Sequence, residues 1–143
     1  MTWGPDMIEG AIHNPSHPQH FMQVDRMDQR VRVTLGELPI ADSGRVLRLQ
    51  EVGRKIYQPQ YYIPREDIPV ILQRTEKSTH CPLKGQASYF SIVDDGGEEL
   101  AAEIGWSYEE PFEFADQITG YVAFDPRRVS MTIEAAKARR AAG

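Results

Sequence analysis

The chain has 143 residues, a size at which one domain buries enough apolar surface to fold without metal or disulfide staples. Lys and Arg total 16 against 21 Asp and Glu, for a net charge of -5, and the basic residues are scattered, so the concentrated basic face that nucleic acid needs is not expected. A single cysteine, Cys81, excludes an internal disulfide and a C-x2-C zinc site and points to a reducing, cytoplasmic setting, while neither an export segment nor a run long enough to span a membrane is expected.

Residues 1–29 lack periodicity and hold three of the four His, in the tract His13-Asn14-Pro15-Ser16-His17-Pro18-Gln19-His20. Pro-spaced His residues can bind metal but are more often a solvated leader, and no metal site is assigned. The segment reads as an extended arm that drapes over the domain or over a second copy, which makes a homo-oligomer one expectation. A single domain over residues 30–134 and a short tail over 135–143 complete the organisation.

From Val31 the apolar period becomes two: Val31, Val33 and Leu35 alternate with Arg30, Arg32 and Thr34, which predicts a half-buried strand. Gly36 turns the chain into a return strand ending near Ala41, Asp42-Ser43-Gly44 breaks it, and a further strand runs from Arg45 to Glu51 with Leu47 and Leu49 facing inward. Lys55 to Ile63 is extended, and Pro59 confines it to an edge or loop. The spacing then predicts one short helix of about two turns over Ile68 to Leu72, capped by Asp67, with Pro69 tolerated in its first turn.

Gln86 to Val93 is rich in aromatic and β-branched residues and reads as a strand, and Asp94-Asp95-Gly96-Gly97 supplies the left-handed conformations of a hairpin. The return strand alternates, with Leu100, Ala102, Ile104, Trp106 and Tyr108 predicted on one side. An acidic loop follows around Pro111. Ile118 to Phe124 reads as a central strand, and Val129, Met131 and Ile133 mark the last one. Roughly seven or eight short strands with one short helix predict a mainly β fold, an antiparallel sandwich or partly open barrel.

Several spaced motifs also carry a resemblance: Tyr62-Ile63-Pro64-Arg65-Glu66-Asp67, Thr79-His80-Cys81-Pro82-Leu83-Lys84-Gly85, Ala87-Ser88-Tyr89-Phe90, Trp106-Ser107-Tyr108 and Gly120-Tyr121-Val122-Ala123-Phe124. Over Arg30 to Ile133 the chain resembles the family catalogued as domain of unknown function 427. The resemblance implies a β-tent-like fold, similar to the ligand-binding domain of cereblon, the Yippee proteins and B-type methionine sulfoxide reductases. Many of those fix a structural zinc with four cysteines; with Cys81 alone, no zinc is carried over. The family has no established activity, although it is at times labelled a nucleotidyltransferase.

Cys81 is the sharpest chemical candidate, since a thiol becomes a nucleophile only when a neighbour favours the anion, and Lys84 stands on the following turn. His80 is a poor partner for it, because adjacent side chains of an extended chain point to opposite faces. A buried, inert thiol is the ordinary alternative. Glu66 is a candidate base beside Arg65, with a surface ion contact as the plainer reading. Lys84-Gly85 offers a cation and turn N–H groups without a phosphate-loop motif around them. Tyr62, Trp106 and Tyr108 pair large apolar area with polar tips, as pocket walls do. Together these residues predict a small-ligand-binding β domain with a site made of Tyr62, Arg65, Glu66, Cys81, Lys84, Trp106 and Tyr108. An enzyme using Cys81 or Glu66 with Lys84, and an assembly module built through the arm, are the alternatives; no cofactor is assigned.

Overall fold

The computed structural model describes residues 11–13, 19–53 and 55–135. They form eleven strands: β1 (Ile12–His13), β2 (Phe21–Arg26), β3 (Val31–Leu35), β4 (Leu38–Ser43), β5 (Leu47–Val52), β6 (Gln60–Tyr62), β7 (Ile71–Cys81), β8 (Gly85–Val93), β9 (Glu99–Ser107), β10 (Val122–Phe124) and β11 (Ser130–Ile133). Three antiparallel sheets result, with strand orders β1-β2-β5-β6, β10-β9-β8-β7 and β11-β3-β4. The first two are joined where Ile63, just past β6, exchanges backbone hydrogen bonds of 2.8 and 2.9 Å with Val122 of β10. The mainly β class follows the sequence pattern, and the sheets do not close into a barrel.

Two apolar clusters hold the sheets together. The first gathers Val31, Val33 and Ile40 of the three-stranded sheet with Ile63, Ile104 and Val122. Val31 and Val33 have no exposed surface, so a one-residue slip of β3 would expose both, at about 1.5–3 kcal/mol each. The second cluster packs Met22, Leu47 and Leu49 of the first sheet against Leu83, Ala87 and Tyr108 from the β7–β8 and β9 side. That second interface frames the site described below.

The predicted helix over Ile68 to Leu72 is absent. A single 3-10 turn occupies Arg65–Asp67, and the chain becomes strand from Ile71, with Ile71 opposite Val93 and Leu72 opposite Ile92. Asp67 does not cap a helix: its carboxylate accepts a 2.6 Å hydrogen bond from the Ser43 hydroxyl and pairs with Arg45 at 3.1 Å. With its cap so engaged and only a few residues to follow, the helix loses to eleven residues of sheet pairing.

Three further readings shift. The central strand expected over Ile118 to Phe124 shortens to β10 at the end of its sheet's order, because Ile118 closes a 3-10 segment over Glu113–Ile118. Residues 12–13 and 21–26, assigned to an extended arm, form β1 and β2, and β2 pairs with β5 throughout, from Phe21 opposite Val52 to Arg26 opposite Leu47; residues 1–10 and 14–18 of the arm and 136–143 of the tail lie outside the described residues. In β9 the alternation is reset midway. Glu103 takes a left-handed φ of 48° and the pairing with β8 slips between Phe90 and Ile92, so Ala101 is buried while Leu100 is exposed.

Candidate functional site

Three residues, Pro82, Leu83 and Lys84, separate β7 from β8, and their geometry decides where the Lys84 side chain goes. Gly85 opens β8 with a φ of 108°, and a Cβ there would meet the backbone of Phe112 at 3.3 Å and of Pro111 at 3.4 Å, so only glycine fits. The Lys84 carbonyl accepts the Phe112 N–H at 3.1 Å. Pinned from outside in this way, the turn directs Lys84 inward, where it is 4% exposed.

The lysine meets Glu51, near the end of β5, with Nζ 2.5 Å from Oε1. The other carboxylate oxygen lies 2.6 Å from Nε2 of His20, which immediately precedes β2. Burial alone would raise the Glu51 carboxyl, yet Lys84 and then His20 outweigh it and hold it below the usual carboxylate range. Burial would likewise lower Lys84, but the surrounding Tyr62, Glu51 and Cys81 keep its ammonium above the ordinary lysine value. The site therefore carries a dehydrated ion pair with a histidine at its outer end.

Behind the pair lies an aromatic layer. Tyr62 is fully buried; its hydroxyl donates to Gln60 Oε1 at 3.1 Å and accepts the Trp106 indole N–H at 3.2 Å. Lys84 Nζ stands 5.6 Å from the centre of the buried Tyr108 ring. Burial pushes both phenols, Tyr62 and Tyr108, well above their ordinary value, so they act as neutral hydrogen-bonding groups.

In front of the pair a cleft of about 280 Å3 opens between the β5–β6 segment and the tip of the β7–β8 hairpin, walled by His20, Glu51, Tyr57, Gln60, His80 and Cys81. The Cys81 thiol is half-buried and accepts a 3.4 Å contact from the Leu83 N–H. The His80 ring turns to Phe112, edge-on at 5.9 Å between centroids. Among the described residues, no three His, Cys, Asp or Glu side chains gather as a metal site.

Of the residues singled out in the sequence, Cys81 lines the cleft, while Lys84, Tyr62, Trp106 and Tyr108 form or back its inner wall. Arg65 and Glu66 are elsewhere. The Arg65 guanidinium lies 4.7 Å over the Phe90 ring, and Glu66 is exposed, 3.3 Å from Arg45. Glu51, His20, Gln60 and Tyr57 were missed. A signal for Glu51 existed: it continues the inward series Leu47, Leu49 at a spacing of two, which places a carboxylate on an apolar stripe. His20 had none, because its neighbours in sequence suggested a leader.

Residues 23–135, which include every residue of the cleft wall except His20, match a family model described as "Domain of unknown function (DUF427)". No curated protein matches the chain.

Proposed function

The chain belongs to the DUF427 family, and from the geometry of its cleft we propose that it is a cytoplasmic β domain that binds a small polar molecule between the β5–β6 segment and the β7–β8 tip. The observation that carries this reading is the Lys84–Glu51–His20 chain at the cleft wall. Removing a lysine and a glutamate from water costs several kcal/mol per ion, and their attraction returns that cost only in part. Apolar side chains would join the two sheets as well. An ion pair with perturbed titration, held beside an open cleft, is a candidate functional site with a stated physical cause.

The lining sets the ligand's character. Glu51 is already balanced by Lys84, so the wall does not demand a charged partner. Gln58 and Gln60 offer amide donors and acceptors, and Tyr57 a half-exposed aromatic face. A volume near 280 Å3 admits a molecule of small heterocycle size. Group transfer through Cys81 is less well supported: the cation that would activate the thiol is held by Glu51, and Glu66 does not reach the cleft.

A thermal-shift screen with nucleosides, cyclic imides and small acids tests the proposal. A ligand at 100-fold excess over its Kd adds about 2.7 kcal/mol of stability. Compounds that stabilise the wild type should lose that effect in Gln60→Leu and Glu51→Gln variants that remain folded. Stabilisation that survives both substitutions places the binding elsewhere and ends the proposal.

A further inference from the structure

We propose a second site, on the face of the β8–β9 sheet turned away from the cleft, in which Arg65 and Arg74 together bind the oxyanion of a small molecule, a phosphate or a carboxylate. The register of the sheet defines this face. Ser88 pairs with Ser107 and Phe90 with Gly105, so these four share one side, whereas Tyr89 and Trp106 share the other, where they pack against the core behind the cleft.

Phe90 is 2% exposed but belongs to neither apolar cluster. Cations help cover it: the guanidinium of Arg65 stands 4.7 Å from the ring centre and that of Arg74 5.6 Å. Two like charges over one ring repel, and among the described residues the carboxylate paired with both is that of Glu109. Arg74 donates to Glu109 Oε1, while Arg65 comes no nearer to Oε2 than 3.8 Å, too long for a hydrogen bond. The cluster therefore holds one positive charge in excess, and the Arg65 fork lacks a partner of matching geometry there. Both arginine side chains are open to solvent, 42% and 56% exposed.

A second observation points the same way. The other arm of Arg74 donates to the Ser88 hydroxyl at 2.7 Å. Ser107, the register partner of Ser88 on this face, has a hydroxyl that is completely buried and makes no hydrogen bond among the described residues. Buried hydroxyls without partners are rare and costly in folded proteins, and each needs a reason. Here the hydroxyl lies in the same cross-strand row as Ser88, which anchors Arg74, with Val122 on its other side. Paired guanidiniums above an aromatic floor with serine donors suit a planar or tetrahedral oxyanion, which each arginine can grip with two N–H groups. Glu109 then acts as an internal stand-in that the ligand displaces.

The test is an NMR titration of the full chain with inorganic phosphate and, separately, with acetate, using sodium chloride at matched ionic strength as control. Saturable movement of the Arg65 and Arg74 Nε–H signals, absent with chloride, is expected. Saturation by phosphate alone assigns the site to phosphate groups, and saturation by both assigns it to oxyanions generally. Glu109→Gln should tighten the phosphate response by about tenfold, since the competing charge is gone, and Arg65→Gln with Arg74→Gln should abolish it while the Trp106 indole signal stays in place. Shifts that follow ionic strength without saturating, or an affinity unchanged by Glu109→Gln, overturn the proposal.

Discussion

Deleting the ammonium of Lys84 leaves Glu51 as a largely buried charge with only His20 beside it. Lys84→Met should cost about 3–5 kcal/mol in urea unfolding, the range for breaking a buried pair from one side. Replacing both partners, as Lys84→Met with Glu51→Leu, should bring stability back to within about 1 kcal/mol of the wild type or above it, because the desolvation penalty disappears with the charges. The pH dependence has two arms. Glu51 titrates below the ordinary 4.5, so its contribution is present above that pH and is lost as the pH falls through the depressed folded value. Lys84 titrates above the ordinary 10.5, so its contribution is complete below that pH and is lost as the pH rises through the raised folded value. The double variant should flatten both shoulders; a double variant with the wild-type profile would show that the pair does not couple to folding. Composition revealed Lys84 and Cys81 as residues of interest. It did not reveal that Arg65 and Glu66, close to Tyr62 in sequence, leave it in space: the 3-10 turn that carries them follows the Ile63 bridge and directs both outward.

Elements whose pattern was strong formed where expected. β3 and β5 follow period two, the β8–β9 hairpin forms although β9 loses its alternation at Glu103, and the hairpin turn is fixed by Asp94, whose side chain accepts the N–H groups of Gly96 and Glu98 at 2.9 and 2.8 Å. β7 was illegible for a physical reason. It is the edge strand of its sheet, and most of its residues are exposed on both faces, so Gln73 to His80 carries no alternation to read; its mixture of Arg74, Glu76 and Lys77 is what keeps an open edge from pairing with another chain. The element-level claim with the most consequence concerns the turn at its end. Gly85→Ala forces a side chain onto a φ of 108° and against backbone at 3.3 Å. A loss of about 1–3 kcal/mol is expected, with Lys84 displaced from Glu51. Gly36→Ala, at a φ of 60° with open space around it, should cost no more than about 1–2 kcal/mol and leave the cleft intact. An unchanged ligand profile in folded Gly85→Ala would show that the turn does not aim the lysine.

At the scale of the molecule, the two four-stranded sheets read in sequence as separate antiparallel pieces, because nothing local announces that Ile63 will bond Val122. Only the burial of both residues, each without exposed surface, requires the join. It makes a continuous order β1-β2-β5-β6-β10-β9-β8-β7, in which the cleft lies where β5 and the β7–β8 tip face one another across the second apolar cluster. A site built this way depends on both sheets unfolding as one unit. Native-state hydrogen exchange can decide that. The amides of Ile63 and Val122 should exchange only by global opening, at the same free energy as Leu49 of β5 and Phe90 of β8, while exposed amides at the β7 edge exchange much faster. If the first sheet instead opens at a lower free energy than the second, the Ile63–Val122 bonds are a local contact rather than a structural join, and the Lys84–Glu51 pair is then the main link across the cleft. In that case Lys84→Met should release exchange in β2 and β5 without changing β8 and β9, whereas a joined sheet predicts that it lowers protection in all four strands together.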